Sequence, residues 1–353
     1  MTQTELADRE AATELAEVLG KLPLALEQAR AYMQRTGCSP EAYLLLFESR
    51  LKLVQRGGAL TGMQATLATT LGISLQQVKK TSPAGPDLVK LCAFFAPEDI
   101  PLDDIRRRTQ HLPNPLATAM ADQKTFEEAV RTLRRYSLVD VLGNSFLSIH
   151  RSVQAVVRRQ MSEYERKKWA KAAVRVMDDA FPPKCDDWRT WPVCSMLLPH
   201  SKETMRHARD LQVDPEATGR LLNHLGIYSI GRGEFAEAKA AFEQALAIDK
   251  AVYGEDDPTV ARDLTNLGFL LKDQGELEKA QKHFERALRI NESAYGADHP
   301  EVATSLNNLG IVLKDQGQQK KKLNWKKHEN SSSARWRLTR RPPVKTIPKS
   351  PGI

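Results

Sequence analysis

The chain has no long hydrophobic run. None of its stretches approaches the ~18 consecutive apolar residues that a membrane-spanning helix needs, which excludes an integral α-helical membrane protein. Cysteine is scarce: Cys38, Cys92, Cys185 and Cys194 form no CxxC pair and no zinc-ligand spacing. A disulfide-built secreted scaffold is thereby excluded, and scattered single thiols predict a reducing, cytoplasmic setting. Cys92, inside LVKLCAFFA, reads as a core filler, and Cys185 with Cys194 is the one candidate pair for a metal or a disulfide. The first thirty residues are acidic and helix-patterned, without the basic start and apolar core of a secretory signal. No Ser/His/Asp set, paired carboxylates or metal-ligand cluster stands out, so an enzyme is not expected.

Acidic residues are nearly missing from one end only. From Gln318 to Ile353 there are eleven basic residues and one acid, Glu329, a net of +10. The formal charge of the whole chain is +8, which leaves −2 for residues 1–317. A basic protein overall is therefore a near-neutral body with a basic tail, and nucleic-acid binding does not follow from the total.

What the sequence does have is repetition. Leu225-Gly226, Leu267-Gly268 and Leu309-Gly310 recur every 42 residues, as do Gly233, Gly275 and Gly317, and Leu222, Leu264 and Leu306. Between the first two copies the match extends through Ala238/Ala280, Phe242/Phe284, Ala245-Leu246/Ala287-Leu288 and Tyr253-Gly254/Tyr295-Gly296. Leu264, Leu267 and Leu271 lie on one face of a helix. Gly275 suits a left-handed turn after it. A second helix is predicted from about Glu276, with alanines permitting close approach, and Pro300 fits the first turn of the next.

GEFAEAKAAFEQALAIDKAVYGEDDPTV and GELEKAQKHFERALRINESAYGADHPEV, each followed by an LTNLG or LNNLG helix, resemble tetratricopeptide repeats of the kinesin-light-chain type. The resemblance covers 216–317: two hairpins and one half. It implies a scaffold that holds a protein or peptide on the concave side, lined by first helices. Arg262, Asn266, Lys272, Asn307, Asn308 and Lys314 are the candidate partner-binding residues, because amides grip a peptide backbone at donor and acceptor alike. The other reading is that these side chains merely face solvent.

Upstream, AATELAEVLGKLPLALEQARAYMQRTG predicts two helices broken at Gly20-Lys21-Leu22-Pro23, and SPEAYLLLF begins a third. From 59 to 162 short helices precede SLVDVL-GN-SFLSIH, a β-hairpin around Gly143-Asn144 with Val139 and Val141 on one face. A helix followed by such a hairpin is the layout of a winged helix. Arg131, Arg134 and Arg135 precede the wing, with Glu127 and Glu128 on the same helix.

ELAEVLGKLPLALEQARAYMQRTGCSPEAYLLLF resembles the helical subdomain that ends the nucleotide-binding module of NB-ARC signalling NTPases. LVKLCAFFAPEDIP and FLSIHRSVQAVVRRQM resemble the winged helix that follows, and WRTWPVCSMLLPH resembles the connector into tetratricopeptide repeats. The resemblance implies that Pro23 packs near an adenine and that His150 reaches the phosphate of bound ADP. Where the family has Met-His-Asp this chain has Ile149-His150-Arg151, and a lone histidine at a strand end is equally a structural residue. The phosphate loop GxxxxGK[ST] occurs nowhere in the sequence, so ATP hydrolysis is not expected. The chain reads as starting roughly where the α/β core of such an NTPase would end.

Past Gly317 the period breaks. Lys322, Lys326 and Glu329-Asn330 stand where alanine, phenylalanine and Ala-Leu would recur. Composition predicts disorder over 318–353. Three readings stay open: a tail for anionic partners, a solvated end, or a further repeat read out of frame.

The expected architecture is mainly α: an NB-ARC-type helical subdomain (1–56), a winged-helix-like domain with a small β-hairpin (57–162), a helical connector (163–215), an α-solenoid of tetratricopeptide hairpins (216–317) and the tail. The expected function is a non-catalytic, cytoplasmic protein–protein interaction scaffold resembling the C-terminal remnant of an NB-ARC–tetratricopeptide NTPase, with association with an intact relative among its partners. No metal is expected, and no cofactor unless a remnant ADP site survives. The alternatives are a winged-helix DNA-binding regulator with a repeat sensor and a partial ADP-binding module.

Overall fold

The computed structural model describes residues 3–56, 62–143 and 145–339, with side chains described over 10–56, 62–143 and 145–321. It is mainly α, with sixteen α-helices and one small sheet among the described residues. Two compact units divide near Val252.

The first unit opens with α1 (Gln3–Val18), α2 (Pro23–Thr36), α3 (Pro40–Arg56) and α4 (Met63–Thr81). The break expected between the first two is made by Gly20 and Lys21, both at positive φ, and Pro23 is the first residue of α2. Ser39 accepts the Ala42 amide hydrogen bond at 3.3 Å, as an N-cap should. Helix α4 packs on both α2 and α3.

Next come α5 (Gly85–Cys92), β1 (Ile100–Pro101), α6 (Leu102–Arg106), α7 (Leu116–Ala121), α8 (Gln123–Arg135), β2 (Asp140–Leu142), β3 (Phe146–Ser148) and α9 (Arg151–Gln160). The hairpin is present with Gly143 at φ +60°, while Asn144 lies outside the described residues. Val139 is buried and Asp140 exposed, the alternation read from the sequence. A third strand was not legible: β1 pairs antiparallel with β3, Ile100 opposite Leu147 and Pro101 opposite Phe146, in the order β1-β3-β2. Two residues, one of them a proline confined to a sheet edge, carry no strand pattern.

The string His150-Arg151-Ser152-Val153-Gln154 has a local physical role. His150 caps α9 through Nδ1, which accepts the Ser152 amide at 3.1 Å. One turn on, buried Gln154 donates to the carbonyls of Cys92 and Phe95 at 2.9 and 3.0 Å. Two turns on, Arg158 donates to the Ala93 carbonyl. These carbonyls lie at and just past the end of α5, and α9 binds them from one face.

The unit continues with α10 (Glu163–Ala180), α11 (Trp191–Asp210), α12 (Pro215–Gly231) and α13 (Phe235–Tyr253). Ser162 and Glu165 form a capping box at the start of α10, and Glu165 also holds Lys90 of α5 at 2.9 Å. A single apolar core runs from Leu15 to Ala245, so the segments distinguished in the sequence share one interior. Cys185 and Cys194 are free thiols directed at different acceptors, the His224 carbonyl at 3.1 Å and the Thr190 hydroxyl at 3.8 Å. That corrects the pairing read from the sequence. Burial pushes the Cys92 and Cys185 thiols up to about 12, which leaves both unreactive.

The second unit holds α14 (Pro258–Asp273), α15 (Leu277–Tyr295) and α16 (Pro300–Thr339). Gly233 and Gly275 turn their hairpins at φ +75° and +79°. Gly317, one period on, lies inside α16, and that helix runs past the point where the composition predicted disorder. Lysine, glutamine and arginine are fair helix formers, and the residues one period after α15 lack the alanine and phenylalanine that would reward a turn.

Candidate functional site

The helix hairpins of the second unit leave a groove of about 440 Å³ between α14, the end of α15 and the start of α16. Arg262 and Asn266 enter it from α14, Asn291 and Tyr295 from α15, and Glu301, Ser305 and Asn308 from α16. Each comes from a position dictated by helical spacing: Arg262 and Asn266 are four apart, as are Glu301 and Ser305. The apolar stripes of the same helices face inward, with Val260, Leu264, Leu267 and Leu271 buried on α14 and Val302 and Val312 on α16.

Hydrogen bonding within the groove separates structural from available groups. Asn291 donates to Ser305 Oγ at 3.0 Å, and Ser305 in turn donates to the Glu301 carbonyl at 2.9 Å. Thr265 and Thr304 bond back to the Ala261 and Pro300 carbonyls of their own helices. Tyr295 stacks on His299 with ring centroids 4.4 Å apart. The Arg262 guanidinium lies 3.3 Å from the carboxylate of Asp263, which is fully buried. Asn308 is 6% exposed, lines the groove, and has no hydrogen-bond partner among the described residues. Its amide is not sealed in but opens on the groove, where a ligand can use both its donor and its acceptor.

Of the six side chains nominated from sequence, Arg262, Asn266 and Asn308 line this groove together. Lys272 instead pairs with Asp273 at 3.1 Å, while Asn307 and Lys314 are exposed on α16 outside the groove lining. Sequence reasoning missed Asn291, Tyr295 and Ser305. The signal was present, since Asn291 sits one period after Asp249, a polar residue on an otherwise apolar helix face.

Pro23 and His150 take separate local roles, one starting α2 and the other capping α9. A phosphate cradle needs converging backbone N–H groups and a lysine on a glycine-rich loop. One ring nitrogen of His150 is already engaged by the helix it caps. The residues present do not by themselves fit a nucleotide.

A polar groove across successive helix hairpins of period 42 has a family counterpart. Residues 217–292 and 263–321 each match the model of the tetratricopeptide repeat. The chain contains tetratricopeptide repeats. Residues 76–166, which hold the three-stranded sheet and the helices around it, match a domain of unknown function (DUF7779). A nucleotide-binding leucine-rich repeat (NLR)-like protein of Hyaloscypha variabilis is 25% identical over 263 residues, 70% of this chain. The match spans a quarter of that relative's length. Among solved structures, BtubC (BKLC) from P. vanneervenii aligns with a TM-score of 0.39 at 15% identity, over 71% of this chain and 93% of that one. No described helix is long and apolar enough to cross a membrane.

Proposed function

We propose that the chain is a non-catalytic, cytoplasmic protein–protein interaction scaffold whose tetratricopeptide groove binds an extended peptide. The observation that carries this is Asn308, whose amide makes no hydrogen bond to another described residue and opens on a groove shared with Asn266 and Arg262. An extended backbone supplies the donors and acceptors that such amides require. Arg262 and Glu301 give the groove both charges, suiting a peptide of mixed charge better than a polyanion. The weak similarity to an NLR-like protein supports placing the chain beside nucleotide-binding signalling proteins. The order of the strings in the sequence is the reason to read it as the counterpart of the C-terminal part of an NB-ARC–tetratricopeptide protein. In this reading Pro23 and His150 meet a nucleotide only when an intact relative supplies the phosphate loop.

Selection of displayed random peptides against the full chain tests the groove. Enriched peptides are expected to bind about tenfold more weakly to Asn308→Ala and Asn266→Ala, and nearly unchanged to Lys314→Ala. Peptides indifferent to both groove substitutions would sink the proposal. Calorimetric titration of the chain alone with ADP is expected to give no saturable heat.

The order α5, β1, α6, α7, α8, β2, β3 is compatible with a winged-helix layout that carries one extra short helix, α7, which keeps a DNA-binding reading in view. Against it, Arg106, Arg131 and Arg134 share one surface pocket with Asp103 and Glu127, and Arg131 pairs with Glu128 at 3.3 Å. Interleaved acids cancel the field that phosphate binding requires. A salt-dependent gel shift that survives deletion of residues 318–353 would favour the regulator instead.

A further inference from the structure

The two charged side chains that line the groove, Arg262 and Glu301, differ in what they already bind. The Arg262 guanidinium lies 3.3 Å from the buried carboxylate of Asp263, so its charge is largely offset within its own helix. Glu301 is exposed, and its carboxylate makes no ion pair or hydrogen bond to another described residue. The groove thus keeps one negative charge unanswered. Glu301 is also held in place. Its backbone N–H donates to His299 Nδ1 at 3.2 Å, and the His299 ring stacks on Tyr295, which lines the same groove and is 44% exposed. A ring nitrogen that accepts a hydrogen bond carries no proton, so His299 adds no charge against Glu301. Helix α15 ends and α16 begins here with opposed dipoles, which leaves the side chains to set the local field.

We infer that the groove selects a basic residue of its peptide, an arginine or lysine whose charge Glu301 answers and whose cation lies against the Tyr295 ring. This deepens the peptide-binding reading and rests on it. Asn308 supplies the register. It stands seven residues after Glu301 on α16, within about 20° of two full turns and about 10 Å along the helix. Both side chains line the groove, and Asn308, 6% exposed, turns its amide into it. An extended chain covers that distance in about three residues. The preferred segment therefore carries its basic side chain about three residues away from the peptide group that Asn308 bonds.

An acidic peptide fits this end of the groove poorly. It would set like charges together at Glu301 and would compete with fully buried Asp263 for the Arg262 guanidinium. An uncharged peptide leaves Glu301 as it is and gains only the amide contacts. Charge therefore discriminates among peptides, while Asn308 supplies affinity common to all of them.

The test starts from displayed peptides that bind the full chain and are weakened by Asn308→Ala. Each is resynthesised with every arginine or lysine changed in turn to glutamine or to glutamate, and affinities are read by fluorescence anisotropy. One basic position is expected to stand out, where glutamine weakens binding about fivefold and glutamate weakens it more. Glu301→Gln should erase the difference between the basic and glutamine versions, and Glu301→Lys should reverse the preference in favour of glutamate. Tyr295→Leu should weaken the basic versions about twofold and leave the glutamine versions unchanged. Both positions are exposed, so circular dichroism checks that the variants keep their helices. Peptides that depend on Asn308 yet have no such basic position, or keep the same preference in Glu301→Lys, overturn the inference and leave the groove reading standing. Failure to find any Asn308-dependent peptide removes both.

Discussion

Gly268 and Phe284 meet across the second repeat hairpin so closely that a β-carbon on the glycine would lie 2.6 Å from the ring. Gly226 and Phe242 repeat the relationship at 2.4 Å one period earlier. Both rings are fully buried and cannot swing away. Gly268→Ala and Gly226→Ala are therefore expected to destabilise by about 1–3 kcal/mol, overpacking outweighing the helix propensity gained. Gly310→Ala meets no atom within 4 Å and is expected to be neutral or stabilising by up to about 1 kcal/mol. Urea melts of the three variants check this, and equal effects at all three positions would refute it.

Gln154 ties α9 to the end of α5 through two carbonyls that no other described side chain amide reaches. Gln154→Met keeps the volume and removes both donors, so a loss of about 2 kcal/mol is expected, with Gln154→Ala costing more because a cavity is added. In a thermal melt the methionine variant should fall by several degrees. A melting temperature within a degree of the parent would show that the carbonyls find other partners.

The repeat period was legible because its residues act in pairs that a sequence displays: glycine for a turn, glycine against phenylalanine, alanine against alanine. The break between α1 and α2 and the wing hairpin were legible for the same reason, each resting on a local turn. Strand β1 was not, because two residues have no period. Nor was the failure of Gly317 to turn, since glycine permits a left-handed conformation without requiring it, and the packing that rewards the turn lies in the following helix. Of the six side chains nominated for the concave face, Arg262, Asn266 and Asn308 meet in the groove. Lys272, Asn307 and Lys314 do not, because a helix offers several polar positions and only tertiary packing selects those that converge.

Two groups on α11, buried His200 and half-buried Glu203, contribute opposite ends of the response to acid. His200 is almost fully buried, with Nε2 3.1 Å from the Asp99 carbonyl, and burial holds its pKa below the ordinary histidine value. The neutral form is the folded form, so this contribution is full above about pH 6.5 and falls as pH drops below it. Glu203, held by His207 and Arg206, has its pKa lowered from 4.5 to about 2. Its contribution is present above about pH 4.5 and is lost as pH falls toward 2. After discounting for partial exposure, Glu203→Gln is expected to cost about 1–2 kcal/mol at pH 7 and nothing at pH 2. Stability measured from pH 8 to 2 should thus fall in two steps, the second absent in Glu203→Gln. A single step shared by parent and variant would contradict the assignment.

Arg220 stands one period before Arg262 but works differently, donating from Nη2 and Nε to Asp178 of α10 at 2.7 and 3.0 Å. It thereby fixes the first repeat helix to the preceding connector. Asp178 is half-buried, and that burial raises its pKa against the pull of the arginine. Arg220→Met leaves a half-buried carboxylate alone and, discounted for the exposure of the pair, is expected to cost about 1–2 kcal/mol at pH 7, whereas Arg220→Met with Asp178→Leu should recover most of that loss. The single variant carries a distinctive sign. A carboxyl raised above its unfolded value binds its proton more readily when folded, so stability lost at neutral pH returns as pH falls through the folded pKa. Between pH 7 and 5 the gap between Arg220→Met and the parent should narrow, opposite in direction to the acid loss at His200. If the gap stays constant, Asp178 is solvated in the variant and the clasp contributes packing rather than charge.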